Sequence, residues 1–349
     1  MSDTSEKMPD NATDRPLVTF ALFAYNQENY IREAVEGAFA QTYEPLEIIL
    51  SNDCSTDRTF DIMKEMAANY DGPHHVITRN NFQNLGTAMH VQGVADIMTG
   101  KLMVVAAGDD ISLPHRVSRI VTHWIEKGRC AVMLHSESEE FSGGDMSVFK
   151  RRPLRYPCAN LIDLEWHLSN HGNPTQAPTA AYSRVLFSDF PPLIGGSVIE
   201  DAPLFLRAVL SGVVQSIPEP LVMYRYSPES AGRGFSILNI PRWNKAIRSR
   251  MISEFNKLQD ISCTSDLTTE VRSYLERRCR WRLNRLCKCV LSEGSYNSVL
   301  ARMRVFLIIF LIYPRRGSIR TKFIEALDFS NLVKLETLRR FKKGSKDRL

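Results

Sequence analysis

The sequence predicts an α/β fold, a mostly parallel sheet flanked by helices, followed by a basic α-helical C-terminal region. Three observations carry this. Between residues 17 and 107, short apolar runs alternate with segments of helical apolar spacing, the pattern of strand–helix–strand units with right-handed crossovers. The apolar runs are near-continuous, as strands buried on both faces require. The charge is also split: residues 241–349 carry 25 Lys and Arg against 10 Asp and Glu, a net of +15, while residues 1–240 carry 19 against 29, a net of −10. Opposite-signed halves imply two modules with different partners.

Residues 1–15 are polar, lack an apolar leader and read as a disordered tail; a domain over 16–238 and the basic helical region over 239–349 follow. Leu17–Tyr25 (LVTFALFAY) is the first strand, and Glu28–Phe39 sets Tyr30, Ile31, Ala34, Val35, Ala38 and Phe39 at helical spacing. Leu46–Leu50 is a second strand, and Thr59–Tyr70 a helix opened by Asp57 as its cap. His75–Thr78 is a short strand, Thr87–Met98 a third helix, and Leu102–Ala107 (LMVVAA) a fourth strand. The seven cysteines form no C-x-x-C pair and read as reduced cytosolic thiols.

Sheets of this kind bind ligands beyond the carboxyl ends of their strands. There the chain places Tyr25-Asn26-Gln27, then Ser51 through Asp57, then Gly108-Asp109-Asp110, so several carboxylates converge on one crevice. No G-x-G-x-x-G follows the first strand and no G-x-x-x-x-G-K-[ST] occurs, so neither a dinucleotide oxidoreductase nor a P-loop nucleotidase is supported. A nucleotidyltransferase would want a Gly-rich basic loop after the first strand, and FAYNQEN is neither.

Four segments in order resemble glycosyltransferase family 2: residues 23–59 (FAYNQENYIREAV through CSTDRT), Asn84–Gly86 (NLG), 100–117 (GKLMVVAAGDDISLPHRV) and 195–232, which includes Glu200-Asp201. The resemblance covers most of residues 17–235. It implies a GT-A fold and an inverting, metal-dependent enzyme of cell-surface glycan synthesis. Such an enzyme moves a sugar from a nucleotide-sugar donor, UDP the first candidate, to a hydroxyl of a glycan or lipid-linked glycan acceptor. Asp109 and Asp110 match the family's metal-and-ribose motif and would hold Mg²⁺ or Mn²⁺, with Asp109 favoured for the metal. A divalent ion there bridges the phosphates and neutralises the charge of the leaving diphosphate.

Asp53 matches the carboxylate that reads the nucleobase edge, an acceptor-only group facing a ring N–H. Tyr25 is placed to stack on the base, Asn26 to support its loop, and Asn84 joins the nucleotide-binding set. Glu200-Asp201 matches the ED motif, with Asp201 as general base and Glu200 in support. Two departures stand out. Ala107 occupies the place of a further Asp, and Ser227 that of a histidine; Arg225 or Arg233 would then supply charge through a fork on phosphate. The plain readings are an Asp pair opening a turn before Pro114, a helix cap at Asp57, and two acids complementing a helix dipole at Glu200-Asp201. With the departures, they keep open a catalytically inactive sugar-nucleotide-binding or assembly subunit of a membrane glycan machinery.

The C-terminal region reads as helices over Pro241–Leu258, Leu267–Ser292, Tyr296–Tyr313 and Ile319–Leu332. Val305–Tyr313 is nine apolar residues in a row between Arg302, Arg304 and Arg315, Arg316. As a helix it is roughly 14 Å long, short of the ~30 Å hydrocarbon core. The expectation is a cytoplasmic enzyme held peripherally on the inner face of the cell membrane, with plain packing as the second reading. Nothing resembles a nucleic-acid module, and no nucleic-acid partner is expected.

Overall fold

The computed structural model describes residues 15–142, 148–154, 161–170, 173–226 and 240–292. The chain divides into two compact units, Met1–Cys279 and Arg280–Leu349, and of the second only 280–292 lies among the described residues. The expected series is present: β1 (Val18–Ala24), α1 (Ile31–Phe39), β2 (Leu46–Asn52), α2 (Thr59–Ala68), β3 (His75–Asn80), α3 (Thr87–Ala95) and β4 (Leu102–Ala107). Then come β5 (Ile111–Ser112), α4 (Arg116–Glu126), β6 (Ala131–Ser142), β7 (Val148–Arg152), β8 (Leu161–Ile162), α5 (Leu164–Asn170), β9 (Ala180–Ser183) and α6 (Val185–Ser188). The series ends with α7 (Asp201–Ser211), β10 (Val213–Tyr226), α8 (Ile240–Cys263) and α9 (Thr269–Ser292).

Among the described residues ten strands form one sheet in the order β3-β2-β1-β4-β9-β6-β10-β5, with β7 beside β6 and β8 beside β10. β1 is parallel to β2 and β4, and β2 to β3, as the crossover helices dictate. β9 runs antiparallel between β4 and β6, while β6 and β10 are parallel. Strand alternation splits the core in two. Val18, Phe20 and Leu22 pack with α1, α2 and α4 on one face; Ala21 and Phe23 pack with α3 and α7 on the other. Both faces are therefore covered, which explains the continuous apolar runs.

The first unit extends past the domain boundary expected at 238/239. α8 packs on α7, and Arg207 forms a fully buried bidentate pair with Asp260, Nε to Oδ2 and Nη2 to Oδ1 both at 3.0 Å. Arg207 also donates to the carbonyls of Leu186 at 2.9 Å and Pro191 at 2.6 Å. Burial pushes the Asp260 carboxyl up to about 6 against the downward pull of Arg207. The expected helices over Tyr296–Tyr313 and Ile319–Leu332, with Val305–Tyr313, lie outside the described residues. Among the described residues no helix is long and apolar enough to cross a membrane.

Candidate active site

Parallel register builds the crevice. Ala24 stands opposite Asn52, Phe23 opposite Ala107, and Asn52 opposite Asn80. The strand ends therefore deliver Tyr25, Asp53, Asn81 and Gly108 to one edge. Backbone bonds continue the ladder there: the N–H of Asp53 donates to Ala24 at 2.9 Å, that of Asn81 to Asn52 at 2.9 Å, and that of Gly108 to Phe23 at 2.8 Å. Tyr25 is 45% exposed, so its ring is available for stacking.

The loops after β1 and β2 are laced together. Asn26, in the left-handed region at φ 52°, accepts the Thr56 N–H on Oδ1 at 2.8 Å and donates its own N–H to Ser55 Oγ at 2.9 Å. It ties the loop after β1 to the loop after β2. Asp57 accepts the N–H of Thr59 at 3.0 Å and of Glu28 at 3.1 Å. Burial pushes its carboxyl up, but these bonds win and hold it below the ordinary carboxylate range. Asp57 caps α2.

Asp53 is buried, and its carboxylate clasps the loop after β3. It accepts from Asn81 Nδ2 at 2.7 Å and from the backbone N–H groups of Leu85 and Gly86, both at 2.9 Å. A carboxylate has about four acceptor sites, so roughly one remains for a ligand. Asn84 donates to the Asp53 carbonyl at 3.4 Å and so shapes the same loop. Gly86 has φ 75°, and a Cβ there would lie 3.2 Å from the Ser197 carbonyl; the position favours glycine on both counts.

Behind Asp53, Arg79 donates to Ser51 Oγ at 2.9 Å and to Asn81 Oδ1 at 2.7 Å. Sequence reasoning missed this brace. Its signal was a polar pair two residues apart at the end of β3, which strand alternation puts on one side. His90 lies 2.6 Å from Ser51 Oγ, and burial pushes its pKa down to about 4, so it stays neutral.

Asp109 and Asp110 have different surroundings. Asp110 is buried and accepts the Arg225 N–H on Oδ1 at 2.9 Å, tying β10 to the turn. Burial, then the charge of Asp109, pushes its carboxyl well up. Asp109 is only half-buried; burial raises its carboxyl too, opposed by Arg225 and a hydrogen bond with Gln27. Below them lies Arg116, fully buried, which donates to the carbonyls of Val105 at 2.7 Å and Pro178 at 2.8 Å.

Arg225 does not present the phosphate fork expected of it. Its guanidinium donates to the Asp109 carbonyl at 2.8 Å and to Glu33, and lies over the rings of Phe141 and Tyr30 at 4.5 and 4.8 Å. It braces the acidic turn instead. Arg233 and Ser227 lie outside the described residues. Among the described residues no group of three or more His, Cys, Asp or Glu is placed to hold a metal by itself.

The second acidic pair sits where α7 begins. Asp201 accepts the Ala202 N–H at 2.8 Å and Asn173 Nδ2 at 3.3 Å. Glu200 is buried, and burial plus the charge of Asp201 push its carboxyl up to about 8. Burial raises Asp201 as well, opposed by the Ala202 N–H and the Lys257 charge. Both carboxyls are therefore raised, Glu200 the one pushed up by its neighbour's charge as well as by burial, and the two titrate as a pair. Tyr182 is buried beside them, and its hydroxyl has no hydrogen-bond partner among the described residues. Lys257, Asn173 and Tyr182 gave no sequence signal, because they come from three separate segments.

The sequence profile of glycosyl transferase family 2 matches residues 19–180. An uncharacterized glycosyltransferase of Haemophilus influenzae is 37% identical over 223 residues, which is 60% of this chain and 65% of that one. An uncharacterized protein of Mycobacterium tuberculosis is 29% identical over 212 residues, 60% of this chain and 58% of that one. This chain thus matches about three-fifths of the length of these curated relatives. The crystal structure of S. aureus TarS 1-349 in complex with UDP-GlcNAc superposes with a TM-score of 0.56 at 15% identity, over 85% of this chain and 81% of that one. That likeness is one of fold, and it agrees with the GT-A expectation. The residues that match the glycosyl transferase family 2 profile run from β1 through the start of β9, the stretch that carries the crevice.

Proposed function

We propose that the chain is an inverting glycosyltransferase. It would move a sugar from a nucleoside diphosphate donor, UDP the first candidate, to a hydroxyl of a glycan or lipid-linked glycan. The observation that carries this reading is an asymmetry repeated in two acidic pairs. In each, the two carboxyls are set differently: Asp110 is buried against the Arg225 N–H beside half-exposed Asp109, and burial with the neighbouring charge raises Glu200 to about 8 while Asp201 accepts the Ala202 N–H and Asn173 Nδ2. The TarS structure with UDP-GlcNAc supports a UDP-sugar as donor.

Tyr25 stacks on the base, and the remaining acceptor site of Asp53 meets a ring N–H. One available carboxylate fits a hard cation shared with donor phosphates, since Mg²⁺ is commonly bound by one or two carboxylates plus phosphate. Asp109 would hold that Mg²⁺ or Mn²⁺, which when bound supplies neutralisation of the charge on the departing diphosphate. Asp201 takes the proton from the acceptor hydroxyl as its oxygen attacks the anomeric carbon, from the face opposite the diphosphate, so the centre inverts. Protonated Glu200 keeps a second negative charge away from the base.

The reading includes a place: the inner face of a cell membrane. The net +15 of residues 241–349 and the apolar run Val305–Tyr313 between arginines give two signals, electrostatic and apolar, that together suffice for stable anchoring. The test of the whole reading is a donor-hydrolysis screen across UDP-, GDP- and dTDP-sugars with Mg²⁺ or Mn²⁺. Turnover of a UDP-sugar that disappears with EDTA is expected. Tight nucleotide binding with no turnover of any donor would favour the inactive binding subunit instead.

A further inference from the structure

Residues 194–199 form a strap that leads directly into Glu200-Asp201 and is held from two sides. On one side the Ala88 N–H, at the start of α3, donates to the Ser197 carbonyl at 3.2 Å. Three and two residues earlier the same loop gives its Leu85 and Gly86 N–H groups to Asp53. On the other side is α8. The Ile194 N–H donates to Asn256 Oδ1 at 2.8 Å, and the Val198 N–H to Ser249 Oγ at 3.3 Å. The Ser197 hydroxyl lies 3.1 Å from the Ser249 carbonyl and accepts the Ile199 N–H at 3.0 Å.

Ser197 of the strap and the polar residues of α8 that face it are buried, and those on α8 form a stripe. Ser249, Ser253, Asn256 and Asp260 follow one another at spacings of four, three and four, so they share one helix face. A helix that served packing alone would bury an apolar stripe there. Here a polar row is buried beside Ile247, Met251, Ile252 and Ile261, and three of its four members bond the strap or Arg207: Ser249 and Asn256 the first, Asp260 the second. The charges that act on Asp109 and on Asp201 come from different residues, Arg225 for the first and Lys257 for the second. The strap is the hydrogen-bonded link that joins the two sites.

We propose that α8 takes part in transfer: Ser249 and Asn256 are positioning residues that fix the strap, and the strap holds Asp201 in register with the loop clasped by Asp53. The inference rests on the reading of Asp201 as base. It makes the base position depend on the donor side, because a nucleotide seated at Asp53 steadies the loop bonded to Ser197.

The test uses the full chain and whichever UDP-, GDP- or dTDP-sugar it hydrolyses fastest. In Ser249→Ala and Asn256→Leu, kcat should fall roughly 10- to 100-fold through misplacement of the base, while the Kd for the free nucleoside diphosphate stays near wild type. Asn256→Asp keeps the acceptor for the Ile194 N–H, and the lost Nδ2 has no partner among the described residues, so it should recover most of kcat. Folded Ser249→Ala and Asn256→Leu proteins with wild-type kcat overturn the proposal.

Asp201→Asn is run in parallel. If it keeps wild-type turnover while the strap variants lose theirs, the base assignment fails and the strap stands; the converse removes the strap alone. Should the α8 variants not fold, or no donor be hydrolysed, hydrogen exchange in the wild-type chain decides. UDP should slow amide exchange across 194–199, and unchanged exchange there with UDP bound overturns the proposal.

Discussion

The donor-side crevice and the ED pocket each contain two adjacent acids, and they separate those acids by different means. At the end of β4 the separation is geometric: Asp110 is turned inward onto the Arg225 N–H, and Asp109 is left half-exposed. At the start of α7 it is a matter of proton affinity: burial and the neighbouring charge raise Glu200 to about 8, while the Ala202 N–H and the Lys257 charge oppose the rise at Asp201. A site that meets a cation and a diphosphate needs charge at its surface. A site that removes one proton needs a single charge in a water-poor pocket, where a neighbouring acid kept neutral does not repel it.

The comparison breaks most visibly at the base. Asp201→Asn keeps the shape but cannot accept a proton, so kcat should fall roughly 10²–10⁴-fold. The pH profile of the wild type sharpens the point. Asp201 must be ionised and its carboxyl is raised, so the acidic limb of kcat should lie above the ordinary carboxylate range, with activity lost as pH falls through it. Lys257→Met should move that limb further up, because Lys257 opposes the rise. An acidic limb unmoved by Lys257→Met would remove Lys257 from the environment of the base. Glu200→Gln mimics the protonated form and should retain most activity at neutral pH; a loss matching that of Asp201→Asn would give Glu200 a charged role.

A stability contrast comes next. The Arg207–Asp260 pair is fully buried, so Arg207→Met leaves Asp260 as an uncompensated charge and should cost about 3–5 kcal/mol in denaturant unfolding. A cost below about 1 kcal/mol, the usual range of exposed pairs, would show that α8 is not docked on α7. Smaller effects belong to the nucleotide pocket. Asp53→Ala leaves the Leu85 and Gly86 N–H groups without their acceptor and should weaken the free nucleoside diphosphate by about 1–3 kcal/mol. Tyr25→Ala removes only a stacking surface, and its loss should be about 1 kcal/mol. Equal affinities for both variants and wild type in a calorimetric titration would empty the pocket of its assigned ligand.

Much of this was legible in the sequence, and what was not has physical reasons. β1 to β4 and their helices announce themselves because strands buried on both faces must be apolar throughout. The crevice follows from where such strands end. The role of α8 was hidden because Ser249, Ser253, Asn256 and Asp260 are buried polar residues that carry no apolar signal, and neighbouring arginines assigned the helix to the basic region. Arg225 was misread for a related reason: the groups that commit it, Glu33, Tyr30 and Phe141, lie far away in the chain. β6 and β10 gave no clear period, since β6 buries His135, Ser136 and Glu137 and the pairing of the two strands is interrupted by register shifts.

In the proposed function the two acidic pairs hold separate duties, donor and cation at Asp109, proton removal at Asp201. The most direct measurement pairs a titration of UDP in the presence of Mn²⁺ with turnover, on Asp109→Asn and Asp201→Asn side by side. Asp109→Asn should lose the Mn²⁺-dependent part of UDP affinity together with turnover, whereas Asp201→Asn should bind UDP as the wild type does and fail to turn over. An Asp201→Asn protein that binds UDP poorly yet retains fast residual turnover, or an Asp109→Asn protein whose affinity for UDP still rises with Mn²⁺ as in the wild type, would contradict the account.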